Sequence, residues 1–239
     1  MMPSSFNSIS VVVPVHNEQA ILEAQISAMA EGLTRTGRPF ELLIVENGSS
    51  DETPALCGAL ERRLQGVRAL SIPEADYGFA LRHGILMARN DVVLIFNVEF
   101  WSMEFVEIAM AAIQTRELVI GSKSAPGAHD ERPPIRRWIT RSYNLCLRWL
   151  WGFDGTDTHG MKAFRREALA PIVRACHCTG FVFDTELVLR AQRAGVSKLE
   201  LPTDVREIRA PSTQSLLRRV PGVIHNLARL WKAMGRHDH

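Results

Sequence analysis

The feature that most constrains this chain is a repeated alternation between short apolar runs and stretches with helical spacing. Residues Ile9 to Val15 form a near-continuous β-branched run ending at Pro14 and His16–Asn17, the pattern of a strand buried on both faces. The segment Ala20 to Leu33 then carries Ile21, Leu22, Ile26, Met29 and Leu33 at intervals that place them on one helical face. The unit recurs as strand Glu41 to Val45, helix Thr53 to Leu64, strand Val67 to Ile72, helix Phe79 to Ala88 and strand Val92 to Phe96, with a further strand at Leu118 to Ile120. Alternation of this kind implies right-handed crossovers and a mostly parallel sheet in an α/β domain. Ligands of such sheets sit beyond the carboxyl ends of the strands. The loops to inspect are therefore Pro14 to Glu18, Glu46 to Thr53 and Asn97 to Trp101.

Composition removes several alternatives. At 239 residues and 46% hydrophobic, the chain can close a substantial core. A net charge of +2 is too mild for a nucleic-acid-binding face. Cys57, Cys146, Cys176 and Cys178 show no paired CxxC spacing, and the Cys–His–Cys run at 176 to 178 is too tight for a usual zinc site. The N-terminus lacks the basic and apolar regions of a signal peptide, and no stretch approaches about 18 apolar residues. A cytoplasmic chain with reduced thiols is expected. No GxGxxG follows the first strand, which argues against a dinucleotide oxidoreductase.

Four signatures follow one another along the chain: VVVPVHNE (Val11 to Glu18), LLIVENGSSDET (Leu42 to Thr53), Asn97–Val98–Glu99 after the strand ending at Phe96, and the pair DTHGMKAFRREAL (Asp157 to Leu169) with GFVFDTELVLRAQRAG (Gly180 to Gly195). Together they resemble the family 2 glycosyltransferases, in particular the dolichol-phosphate mannosyltransferase and polyprenyl-phosphate glycosyltransferase branch. The resemblance covers roughly Ser10 to Ser212. It implies a glycosyltransferase A-type fold, with a catalytic domain over residues 1–211 and a basic amphipathic C-terminal helical extension over 212–239.

The resemblance also implies roles. Pro14 and Glu18 would border the nucleoside of a nucleoside-diphosphate sugar. Glu46 and Asn47 stand where the family has two acids, while Gly48, Ser49, Asp51 and Thr53 match it. A carboxylate at a strand end can accept hydrogen bonds from ribose hydroxyls, and Glu46 is suited to that. On local grounds alone, Asn47–Gly48 is a turn and Ser50 or Asp51 a helix cap. Asn97–Val98–Glu99 replaces the Asp-x-Asp with which the family holds Mg²⁺ or Mn²⁺ and the donor diphosphate, so Glu99 and Asn97 are the metal candidates, and Lys123 is a second source of positive charge. Asp157 would lie near the sugar, with Asp184 and Glu186 lining or bracing the acceptor side. A helix N-cap is the plain alternative for Asp184. The family's Ser–Lys pair for the acceptor phosphate is missing, which leaves Arg137, Arg209 and Arg218 as candidates for that anion.

A lipid phosphate as acceptor would be ionised near pH 7 and need no general base, because a monoester's second pKa is about 6. A hydroxyl acceptor would need one, and Asp157 or Asp184 would serve. Ser124 to Pro134 reads as a lid-like loop. Two stretches mix tryptophan with arginine: Ile135 to Trp151, and the region after Ser212 with Leu216, Val220, Ile224, Leu227 and Trp231. Such faces suit the inner surface of an anionic membrane; packing on the domain or a homodimer contact is the alternative. The competing functions are a soluble transferase acting on a saccharide or small-molecule hydroxyl, and a degenerate nucleotide-sugar-binding protein without activity.

Overall fold

The computed structural model describes residues 6–129, 133–204 and 220–235. Seven strands form one sheet: β1 (Ile9–Val15), β2 (Phe40–Asn47), β3 (Val67–Ile72), β4 (Val92–Ile95), β5 (Leu118–Ser122), β6 (Lys162–Arg165) and β7 (Lys198–Pro202), in the order β3-β2-β1-β4-β6-β5-β7. The strands β3, β2, β1 and β4 run parallel, as do β5 and β7. The one reversal is β6, which pairs antiparallel with both β4 and β5.

The helices are α1 (Leu22–Arg35), α2 (Thr53–Arg63), α3 (Tyr77–Met87), α4 (Met103–Ala112), α5 (Pro134–Trp151), α6 (Arg166–Ala175), α7 (Val182–Arg193) and α8 (Val220–Met234). The two-residue period of the strands sorts them into two layers. Val12, Leu43, Val45 and Val93 face the layer to which α3, α6 and α7 contribute Leu81, Leu169 and Phe183. Val11, Val13, Leu42, Ile44 and Leu94 face α1, α2 and α4 through Ile26, Leu60 and Val106. Burial on both faces explains why all seven residues of β1 are buried and why its sequence shows no polar alternation.

The last helix is part of this core. Leu230, Ala233 and Met234 of α8 are buried with the α7 side chains, and Arg190 and Arg193 of α7 donate to the carbonyls of Ala233 and Met234 at 3.0 and 3.2 Å. Those carbonyls lie at a helix end, where no further intrahelical partner is available. The described part of the C-terminal region therefore packs against α7.

At the amino end of the strands, remote from the loops singled out above, Glu41 is 7% exposed. Its carboxylate accepts from Ser10 Oγ at 2.6 Å, Arg89 N at 2.6 Å and Arg68 Nη1 at 2.5 Å. Burial alone would raise the carboxyl, but the hydrogen bonds from Ser10, Arg89 and Arg68 outweigh it and hold the pKa below its ordinary value of 4.5. This stabilisation is present above the unfolded-state pKa and lost as pH falls through the lower folded-state value. Glu41→Gln is expected to destabilise the domain by about 1–3 kcal/mol at pH 7, and by less below about pH 4. Urea unfolding at both pH values checks this; an undiminished gap in acid would show that packing, not charge, is what the substitution removes.

Candidate active site

The loops after β1 and β2 are stitched to each other. Asn17 takes a left-handed φ of 55°, which turns the chain back over the end of β2. From there, Asn17 N donates to Ser49 Oγ at 3.0 Å, Ser50 N to Asn17 Oδ1 at 2.8 Å, and Glu18 N to Thr53 Oγ1 at 2.8 Å. Asp51 accepts from Thr53 N at 2.9 Å and Gln19 N at 3.3 Å. His16 Nδ1 lies 2.9 Å from the carbonyl of Asn47, so that nitrogen carries the proton.

Glu46 is part of the same stitching: it is 3% exposed, and its two oxygens accept from Ser49 N at 2.6 Å and Ser71 Oγ at 2.8 Å, so it shapes the loop from below. Ser49 and Asp51 are likewise engaged in holding the two loops together. Pro14, Glu18 and Asn47, together with His16, wall a cavity of about 550 Å³ at the carboxyl ends of β1, β2 and β4. Its far side is made by Asp76 and Tyr77 at the start of α3, by Asn97 to Phe100, and by Gly180 and Phe181.

Asn97 and Phe100 exchange backbone hydrogen bonds of 3.2 and 3.0 Å, a tight bridge that sets Val98 and Glu99 along the wall of this cavity. The Tyr77 phenol lies near Asp184 and Asn97, and burial together with the Asp184 charge pushes it well above its ordinary pKa. Asn97 brings an amide oxygen and Glu99 a carboxylate to the same wall. Among the described residues no three His, Cys, Asp or Glu side chains converge as a metal cage. One carboxylate and one amide oxygen fit a Mg²⁺-like ion shared with a bound diphosphate, because such ions are commonly held by one or two carboxylates plus substrate phosphates.

A second cavity, of about 290 Å³, opens between α5, α7 and α8. Lys123, Asp157 and His159 form its polar wall, with Tyr143 and Ile139 opposite. Gly160 makes this wall possible, since a Cβ there would stand 1.7 Å from the Gly121 carbonyl. The turn can thus lie flat on β5 and bring Asp157 to Lys123, with Nζ 2.8 Å from Oδ2. Burial alone would raise the Asp157 carboxyl, yet the Lys123 ammonium and the His159 amide outweigh it and hold the pKa below its ordinary value. Burial also lowers the His159 pKa, leaving the imidazole neutral at pH 7. Its Nε2 donates to the Phe181 carbonyl at 3.1 Å, so its Nδ1, at 2.9 Å, accepts from the Thr158 hydroxyl.

Beneath both cavities lies a buried ion pair. Lys162 on β6 is 1% exposed; it donates to Asp184 at 2.6 Å and to the Gly160 carbonyl at 3.0 Å. A lysine two residues after the glycine was its only local signal. Asp184 is the third residue of α7 and makes no cap; Phe181 occupies the N-cap position. It is 1% exposed and lines neither cavity, reaching the first one only through Tyr77. Glu186 is fully buried, accepting from Arg190 Nε at 2.7 Å, His177 N at 2.9 Å and Cys178 N at 2.6 Å. Both acids are thus engaged by partners of the surrounding scaffold.

Arg137 is exposed and lines neither cavity. Arg209 and Arg218 lie outside the described residues. The lid-like segment is described through His129, whose amide donates to Asp204 at 3.0 Å.

Comparison with known proteins bears on this arrangement. Residues 10–172 match the family model for glycosyl transferase family 2. The chain is 29% identical over 230 residues to the glycosyltransferase AglD of Haloferax volcanii, covering 93% of this chain and 37% of that protein. It is 27% identical to a dolichyl-phosphate beta-glucosyltransferase of Dictyostelium discoideum (84% of this chain, 67% of that one). It is also 27% identical to an undecaprenyl-phosphate 4-deoxy-4-formamido-L-arabinose transferase of Pseudomonas aeruginosa (74% and 52%). The chain thus spans between 37% and 67% of the length of these relatives. Among solved structures, glucosyl-3-phosphoglycerate synthase from Mycobacterium tuberculosis, in complex with Mg²⁺ and uridine diphosphate, superposes with a TM-score of 0.70 at 21% identity, over 94% of this chain and 79% of that one.

Proposed function

The chain belongs to glycosyl transferase family 2 and has the A-type glycosyltransferase fold, and from that premise we propose that it moves a sugar from a nucleoside diphosphate to a polyprenyl phosphate at the cytoplasmic face of a membrane. The observation that carries the choice of acceptor is the state of the two acids that could serve as a base. Asp157 is ion-paired with Lys123 at 2.8 Å, which holds its carboxyl below the ordinary value, so it accepts a proton poorly, while Asp184 is bound to Lys162 at 2.6 Å and lines neither cavity. A phosphate acceptor does not ask for one, being mostly ionised near pH 7.

The chemistry is an in-line displacement. An acceptor phosphate oxygen forms a bond to the anomeric carbon as the bond from that carbon to the diphosphate oxygen breaks; the electron pair leaves with the nucleoside diphosphate and the configuration inverts. Pro14, His16, Glu18 and Asn47 border the nucleoside, with Ser49 and Asp51 fixing the loops behind them. A divalent cation shared by Asn97, Glu99 and the diphosphate would neutralise negative charge on the leaving group. Lys123, oriented by Asp157, supplies a fixed positive charge in the second cavity, where the acceptor phosphate approaches. Arg209 and Arg218, which lie outside the described residues, are the proposed contacts of that phosphate.

The membrane surface is supported by α5. Ile135, Trp138, Leu145 and Trp149 are 47%, 64%, 65% and 85% exposed at intervals of three, seven and four residues, one stripe on one face. Arg137, Arg141 and Arg148 flank it, which suits an anionic bilayer. Among the described residues no helix is long and apolar enough to cross a membrane.

The test is turnover across UDP- and GDP-sugars, with and without Mg²⁺ or Mn²⁺, in the presence of a short polyprenyl phosphate. Turnover that requires the polyprenyl phosphate supports the reading. Transfer to saccharide hydroxyls alone replaces the lipid with a sugar acceptor, and an absence of nucleotide binding removes the transferase. Flotation with anionic vesicles, lost in Trp138→Ser/Trp149→Ser, checks the surface; a wild type that stays with the soluble fraction as a dimer assigns the stripe to a homodimer.

A further inference from the structure

Phe181 is the residue shared by the walls of the two cavities, and its surroundings are unusual for an exposed aromatic. Its side chain is 66% exposed, yet the turn that carries it is clamped from three directions. The preceding Gly180, at a left-handed φ of 59°, donates its amide to Asp76 at 2.9 and 3.1 Å. The Phe181 carbonyl accepts from His159 Nε2 at 3.1 Å. The ring itself lies 5.0 Å from that of Tyr77 at an angle of 31°, an offset tilt that leaves its other face uncovered. Asp76 is in addition the cap of α3, accepting from Phe79 N at 2.7 Å.

The same clamps tie the turn to the chemistry on each side. Tyr77 reaches Asn97 and Asp184 on the donor side, and His159 stands beside Asp157 in the second cavity. Close packing fixes the turn further, since a Cβ on Gly78 would stand 2.7 Å from the Gly180 carbonyl. A hydrophobic ring held this firmly, but left facing open space, contributes little to the core of the free protein. Its position, between the cavity proposed for the nucleotide and the cavity holding Lys123, is where a sugar attached to a diphosphate must lie during transfer.

We infer that Phe181 is a sugar-positioning residue, offering its open ring face to the apolar C–H face of the donor's pyranose and so setting the anomeric carbon toward the second cavity. The physical match is between the electron-rich face of the ring and the polarised C–H bonds of a sugar, joined by the removal of apolar area from water. The inference rests on the transferase reading above, but the residue is identified by its placement between the two cavities.

The test is calorimetric binding of UDP, UDP-glucose, GDP and GDP-mannose in the presence of Mg²⁺ to wild type, Phe181→Ala and Phe181→Tyr, with thermal unfolding of each. Phe181→Ala is expected to weaken the preferred nucleotide sugar about tenfold or more while leaving the matching bare diphosphate unchanged, and Phe181→Tyr to restore the difference. A merely structural role would not separate the sugar nucleotide from the bare diphosphate. Equal weakening of both ligands, or no weakening of either, overturns the inference and leaves the transferase reading standing. A wild type that binds none of the four ligands overturns both.

Discussion

Lys162→Met is expected to lower the stability of the domain by about 3–5 kcal/mol at neutral pH, the range found when one member of a buried ion pair is removed. Lys162 and Asp184 are both 1% exposed, and the ammonium sits 2.6 Å from the carboxylate. Without the lysine, Asp184 keeps no cationic partner among the ion pairs described. A buried charge left so is far from compensated. Removing both charges should be milder: Lys162→Met/Asp184→Leu is expected to recover most of the loss, because a well-packed apolar pair of similar volume often replaces a buried ion pair at little cost. Urea unfolding of the single and double variants measures this directly. A single-variant loss under about 1 kcal/mol would mean that the site relaxes to admit water. The recovered double variant also separates roles: folded protein with slowed transfer would mean that the pair sets the position of Tyr77 and Asn97.

Asp157→Asn is expected to slow transfer by about 10²–10³-fold with donor affinity changed by less than about twofold. The carboxylate anchors Lys123 Nζ at 2.8 Å and accepts from His159 N at 2.9 Å, so the amide loses the charge that aims the lysine while keeping the shape of the turn. Because the folded carboxyl lies below its ordinary value of 3.8, Asp157 is ionised throughout the physiological range. Its contribution is present above the unfolded-state value and lost only as pH falls through the lower folded one. An acid limb in the rate near pH 6 would therefore belong to the acceptor phosphate. That limb should persist in Asp157→Asn with reduced amplitude. Its disappearance in the variant would assign it to Asp157 and restore a base-catalysed transfer to a hydroxyl.

These two predictions concern residues of different legibility. Asp157 stands out in the sequence because its segment resembles a family motif; its partner Lys123 was expected near a phosphate, and the ion pair between them was not. Lys162 belongs to the same motif and has no role expected of it. It lies in β6, whose Lys–Ala–Phe–Arg offers four residues, two of them charged, and no apolar run. A strand inserted antiparallel between β4 and β5 draws its stability from pairing on both sides, which local composition does not reveal. The same limit applies to Glu46. A carboxylate at a strand end is equally suited to a ribose or to the loop beside it, and the left-handed turn at Gly48 brings the Ser49 amide onto that carboxylate.

What the sequence by itself determined is the layered α/β plan: Ile9 to Val15 and Val67 to Ile72 appear as strands with the same bounds in both readings, and the loops beyond β1, β2 and β4 meet at the larger cavity. Burial on two faces demands a continuous apolar run, and a helix covering a sheet demands an apolar stripe, so both leave periodic marks that survive in one dimension. The tertiary structure alone decided which carboxylates line the cavities and which are engaged beneath them. Lys162 and Asp184 are 22 residues apart and Lys123 and Asp157 are 34 apart. Whether such charges meet depends on strand order and on the close approach of Gly160 to β5. Neither is a property of neighbouring residues, so no periodicity records it.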